Sequence, residues 1–235
     1  KRILTYFGDS VDENTLMKTP QLHLRFHLER VMESTFSGRG KWENVYMYKI
    51  LMSLIRKRPR DLVKLCSLAA QQAQQTNSPL IKTEHFQAIF EEYSQGRIQD
   101  TINEYKSELP NIENLLFGMR PTKKQRNASD GYIYTTAELI QKLNNIRQHT
   151  NFIFKNGRKA SANELAQFLY KINFLTARKI VESGEIQRKY FEENRYISSS
   201  FVDFGYDWEV HPAFRWVLQP ENINEIFNKL ALSHD

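Results

Sequence analysis

The stretch RKRPRDLVKLCSLAAQQAQQ, residues 56–75, decides how the rest of the chain is read. Pro59 disfavours helical geometry at Arg58 and suits the first turn of a new helix, so the spacing predicts a helix that starts beside Arg60. Leu62, Leu65, Cys66, Ala69, Ala70 and Ala73 then fall on one side, and the small residues among them admit a close neighbour. An arginine at a proline-fixed helix start can project a fixed cation into a neighbouring cleft. Its planar fork binds phosphate oxygens in pairs and keeps its charge at any ordinary pH. The alternative for Arg60 is a helix-start arginine paired with a neighbouring acid.

Upstream, PQLHLRFHLERVMESTF (20–36) reads as an amphipathic helix, SGRGKW (37–42) as a loop, and WENVYMYKILMSLI (42–55) as a second helix. Downstream, TNSPL (76–80) is a turn, and KTEHFQAIFEEYSQG (82–96) predicts a helix capped by Thr83 and closed by Gly96. A further helix is expected over 97–109, and a short one follows Pro110. The basic, Pro- and Gly-punctuated RPTKKQRNASDG (120–131) predicts a linker. Beyond it, Thr135 with Glu138 and Ser161 with Glu164 are capping-box pairs that open two helices, the second over SANELAQFLYKINFL (161–175). ARKIVESGEIQRKYFEE (177–193) reads as two strands around Ser183-Gly184, and INEIFNKLAL (223–232) as a last helix. The expected fold class is mainly α, with a helical bundle followed by a winged-helix domain holding a short β-hairpin. The boundaries are 1–120 for the bundle, 121–131 for the linker, 132–220 for the winged-helix-like domain and 221–235 for a C-terminal helix.

With 235 residues, two units of about 100–200 residues are the natural division. Hydrophobic content of 40 % and 15 Phe exclude a disordered tail. Cys66 is the single cysteine, which excludes a disulfide framework and a cysteine-built zinc site and fits a reducing cytoplasm. No run reaches the roughly 18 apolar residues of a membrane span. The polar start without an initiator Met fits a chain cut from something longer.

Net charge is +6 and unevenly spread. Residues 121–200 carry 14 Lys/Arg against 7 Asp/Glu, whereas 201–235 carry 2 against 6. A clustered basic surface attracts phosphate backbones. A winged helix would place the helix starting near Glu164 in a major groove and run the hairpin along phosphates. Lys171, Arg178, Lys179, Arg188 and Lys189 are then the candidate nucleic-acid contacts, although the helix is apolar over much of its length.

SGRGKWEN is not a phosphate-binding loop, because Trp42 stands where a magnesium-binding hydroxyl belongs and no strand precedes it. No acid–base–nucleophile set is visible, and no catalytic residue is assigned. His23 and His27 share a helical spacing with no third ligand, so no metal site is assigned. Cys66 reads as an inert thiol in an apolar face, and His211 as a polar tip beside Trp208, Phe214 and Trp216.

Arg60-Asp-Leu-Val-Lys-Leu-Cys, then Ala69, Ala70 and Ala73, then Ile81-Lys-Thr-Glu-His85 and Ala88, resembles the helical lid of AAA+ and related STAND-type P-loop ATPases. In place of the glycine of that pattern this chain has Arg58-Pro59-Arg60. Arg-Pro-Arg-Asp together with HPAFRWVL (211–218) resembles a group of bacterial P-loop ATPases, relatives of which belong to antiviral defence. The resemblance implies that Arg60, with Arg58 beside it, senses the γ-phosphate of ATP bound with Mg on a core outside this chain. It implies that ATPase core as a partner; DNA and further copies of the chain are the other partners expected, and without an apolar span no membrane is expected. The function expected is therefore the C-terminal regulatory part of a P-loop ATPase that couples nucleotide to DNA or a protein partner. The alternative is a stand-alone winged-helix DNA-binding regulator with a helical effector or dimerisation domain.

Overall fold

The structure is a computed structural model that describes residues 2–10, 12–38, 40–55, 58–122, 131–182, 186–193 and 205–219. Three short helices, α1 (Arg2–Tyr6), α2 (Glu13–Lys18) and α3 (Gln21–Leu28), open the chain. The helix expected over 20–36 stops at Leu28. Residues 29–36 instead form two isolated bridges, Met32 with Ile81 and Thr35 with Tyr46, which lay this segment against the helices that follow. Trp42 sits in a 3-10 turn (Gly40–Trp42), and α4 (Met47–Leu54) begins later than the expected start at 42.

Helix α5 (Pro59–Gln75) begins on Pro59, with Arg58 extended ahead of it as a residue before proline must be. Helix α6 (Thr83–Tyr105) merges the two helices expected over 83–96 and 97–109. Gly96 does not end it, because no left-handed turn forms there and the backbone ladder runs on to Tyr105. The cap residue is Lys82 rather than Thr83. His85 Nδ1 accepts from the Lys82 N–H at 2.8 Å, and the Glu33 carboxylate accepts from the Thr83 N–H at 2.9 Å. Helices α5 and α6 lie antiparallel: the start of α5 meets the end of α6 through Glu104, while Thr76 Oγ1 meets His85 Nε2 at 2.9 Å at the other end. Helix α7 (Ile112–Gly118) follows Pro110 as expected.

After β1 (Ile133–Tyr134) come α8 (Thr136–His149) and α9 (Ala162–Lys171), each opened by its expected capping box. Helix α9 ends at Lys171, short of Leu175, which already belongs to β2 (Leu175–Ile180). Strand β2 pairs antiparallel with β3 (Ile186–Lys189), giving the expected hairpin; Ser183-Gly184 lie outside the described residues. Strand β4 (Asp207–Val210) inserts between β1 and β2, so the sheet order is β1-β4-β2-β3, all antiparallel. A 3-10 turn (Pro212–Phe214) and α10 (Arg215–Leu218) follow. The fold is mainly helical with a small sheet, as expected; the linker core 123–130 and the helix expected over 223–232 lie outside the described residues.

Two apolar clusters form the interior. One gathers Phe36, Trp42, Ile50, Leu54, Leu65, Phe86 and Phe90; the other gathers Ile98, α7, α8, α9 and the inner side of the sheet. The boundary between the two clusters falls within α6. The C-terminal turn serves both: Phe214 and Val217 join the sheet cluster, whereas Ala213 and Trp216 join the helical one. The Trp216 ring lies 4.7 Å from that of Phe90 and 5.9 Å from that of Trp42. The Val217 N–H donates to Ser94 Oγ at 3.1 Å and ties α10 to α6.

Candidate functional site

Polar groups concentrate where α5 begins. Asp61, in the first turn, is fully buried, and Arg97 Nη1 donates to its Oδ1 at 2.5 Å from the facing turn of α6. Arg97 also reaches Asp100 through Nη2 at 2.7 Å, and its guanidinium lies 5.5 Å from the Tyr93 ring. A buried ion pair of this kind fixes the helix start, since removing one partner strands the other away from water. Arg58 and Arg60 stand above it. Arg58 Nη1 and Arg60 Nη2 both donate to Glu104 Oε2 at 3.0 Å. The Arg60 side chain is 57 % exposed and Arg58 is half-buried.

Partial burial works against ionisation of Glu104, but the hydrogen bonds from Arg58 and then Arg60 hold its carboxyl below the ordinary range. Burial likewise opposes the charge on Arg58, and hydrogen bonds to Tyr105 and Glu104 outweigh it, so its pKa is raised. The two arginines read from the sequence as nucleotide contacts are thus brought together, and in this structure they engage a carboxylate of their own scaffold. Arg97 and Glu104 were not singled out by sequence, and Asp61 entered only as the last residue of the Arg-Pro-Arg-Asp string.

The five residues expected to contact nucleic acid separate into two groups. Arg178 and Arg188 are each only 9 % exposed and turn onto buried Glu209. Arg188 makes a two-pronged contact, Nε to Oε2 at 2.6 Å and Nη2 to Oε1 at 3.0 Å. Arg215 Nη2 reaches Oε1 at 2.6 Å, and Arg178 Nε stands 4.0 Å from Oε2. The register explains this. Thr176 pairs with Glu209 and Arg178 with both Asp207 and Arg188, so these side chains share the side of the sheet opposite Ala177 and Trp208. Arg178 and Arg188 are therefore corrected from phosphate contacts to parts of an internal ion cluster. Burial works against the Glu209 charge, yet Arg188, Arg215 and Arg178 keep its carboxyl below the ordinary range.

The three lysines stay accessible. Lys171 pairs with Glu108 at 2.8 Å, Lys179 lies 5.8 Å from the Tyr206 ring, and Lys189 is partly exposed at the end of β3. Helix α9 buries Leu165, Ala166, Phe168, Leu169 and Tyr170, and leaves only Asn163, Glu164, Gln167 and Lys171 on its outer side. His211 is buried; its Nδ1 accepts from the Ala213 N–H at 3.2 Å, and its ring lies beside Tyr190 and Phe214. Burial pushes the Cys66 thiol up to about 11, which makes it a poor nucleophile.

Residues 22–102 match the family model of the FunZ-associated C-terminal helical domain. The matched segment takes in α3 to α6, including Arg58, Arg60, Asp61 and Arg97, and ends just ahead of Glu104. No curated protein and no solved structure matches the chain. Among the described residues, no helix is long and apolar enough to cross a membrane, and no group of three or more metal-ligating side chains is present.

Proposed function

We propose that this chain is the regulatory C-terminal part of a larger P-loop ATPase, in which Arg58 and Arg60 meet the terminal phosphates of a nucleotide held, with its Mg ion, by a core outside the chain. One observation carries the reading: two guanidinium groups share a single partly exposed carboxylate at the start of a 17-residue helix. The start of that helix is anchored from beneath by the Asp61–Arg97 pair. Surface ion pairs contribute little and exchange readily. A phosphate offers the same two arginines more acceptor oxygens and more charge than Glu104, in a geometry that their forks suit. The match to a helical domain described as C-terminal supports the placement in a larger protein.

The coupling follows from the packing. Helix α6 carries Glu104 and Arg97, runs through both cores and is held by Trp216 and Val217, so a shift at Arg60 is passed to the sheet. Phosphate contacts made in only one arrangement of this part against the core would favour that arrangement. In the natural protein that carries both this chain and its core, Arg60→Ala is expected to lower ATP turnover about 10- to 100-fold, the worth of one charge-assisted hydrogen bond of about 1.5–3 kcal/mol. The melting temperature of the chain itself should not move. Unchanged turnover in that variant removes the nucleotide-sensing role.

A further inference from the structure

We infer that the groove between the 153–159 turn and the outer side of α9 binds single-stranded nucleic acid. It is remote from Arg58 and Arg60 in the sequence and does not depend on the role proposed for them. The groove has a volume of about 780 Å³. Aromatic rings line it: the Phe154 and Phe168 rings meet edge to face at 5.8 Å, and Phe191 belongs to the same lining. Lys155, Arg158 and Lys171 line the same groove, as do Glu108 and Glu164.

Charge favours a polyanion here. The lining carries three cations against two carboxylates, and residues 142–171 around it hold six Lys/Arg and one acid, Glu164. Arg158 is paired with Glu164 and Lys171 with Glu108, both at the surface, and such pairs yield readily to phosphate. Lys155 has no side-chain partner among the described residues, and neither has the Gln167 amide, which also lines the groove. An amide in that place can donate to and accept from the edge of a base.

The same features disfavour a duplex. Helix α9 exposes four side chains, one of them a carboxylate, which is little to lay in a major groove about 12 Å wide. The hairpin arginines that would flank a duplex are held by Glu209. A groove that combines aromatic faces with spaced cations suits an unstacked base joined to its phosphates.

The test is fluorescence anisotropy on the 235-residue chain with a short labelled single-stranded oligonucleotide, the same sequence as a duplex, and a poly-glutamate peptide as competitor. Single strand is expected to bind more tightly than duplex. Three neutralised phosphates at about −0.7 each give a log–log salt slope near −2. Lys155→Ala/Arg158→Ala/Lys171→Ala is expected to weaken binding by about tenfold or more and flatten that slope. Gln167→Ala should change base preference and leave the slope alone. Lys64→Ala, on the far helical unit, is the unaffected control. Lys155→Glu, at a side chain with no ion pair to lose, gives a readout independent of folding and is expected to weaken binding several-fold. Equal or tighter duplex binding, stronger competition by the peptide than by unlabelled single strand, or unchanged affinity in Lys155→Glu would overturn the assignment.

Discussion

Glu104 and Glu209 each gather arginines, in opposite settings. Glu104 sits at the end of α6 with a side chain 37 % exposed, and takes Arg58 and Arg60 from the edge of the helical unit. Glu209 is 1 % exposed in β4 and takes Arg188, Arg215 and, at longer range, Arg178 from three different elements. In water the first arrangement has a small free energy and short commitment, so its cations are free to change partners. In the interior the second cannot exchange without exposing charge to a medium that solvates it poorly, so it acts as a cross-link between β2, β3, β4 and α10. The difference teaches that arginine by itself does not mark a ligand site. Whether its carboxylate partner is wet decides.

The comparison can be broken at its strongest point first. Glu209→Gln is expected to cost about 3–5 kcal/mol, the toll of leaving buried guanidinium groups without their carboxylate. At about 2–4 °C per kcal/mol for a chain of this size, melting should fall by about 6–20 °C. The same residue sets an acid limb. Its folded-state pKa is depressed, so its contribution is present above the ordinary carboxylate range and is lost as pH falls through the lower folded value. An acid titration followed by circular dichroism should therefore be flatter in Glu209→Gln than in the parent.

Asp61→Asn tests the intermediate case, a buried pair with one main arginine. A loss of about 3 kcal/mol is expected in urea unfolding, since Arg97 keeps Asp100 as a second partner. Glu104→Gln is the smallest, with a change of no more than about 1 kcal/mol in the same assay. A loss at Glu104 as large as that at Glu209 would erase the distinction between the two sites.

Much of this architecture was legible in the chain. The capping pairs Thr135/Glu138 and Ser161/Glu164, the proline-set start of α5 and the β2–β3 pairing follow from local chemistry that operates within a few residues. The reading failed where distant contacts override local preference. Residues 29–36 have helical apolar spacing, yet bridges to Ile81 and Tyr46 draw them out of the helix. Gly96 looked like a stop, but both cores clasp α6 on either side of it and keep the helix intact. At the candidate sites, residue type was a weak guide. Arg178 and Lys179 are neighbours in one strand, and the alternation of β2 sends one inward and leaves the other in water. Glu209 gave no signal of its own, because its partners come from three separate segments.

Trp216 carries a last consequence. The Val217–Ser94 hydrogen bond spans 123 residues, and the adjoining indole completes a hydrophobic nest made largely by the first 90 residues. During synthesis that nest stays open at one wall until the carboxyl-terminal turn has left the ribosome. The helical portion thus reaches its final stability only when the sheet portion also exists, which makes translation of the whole segment a condition for a finished first half.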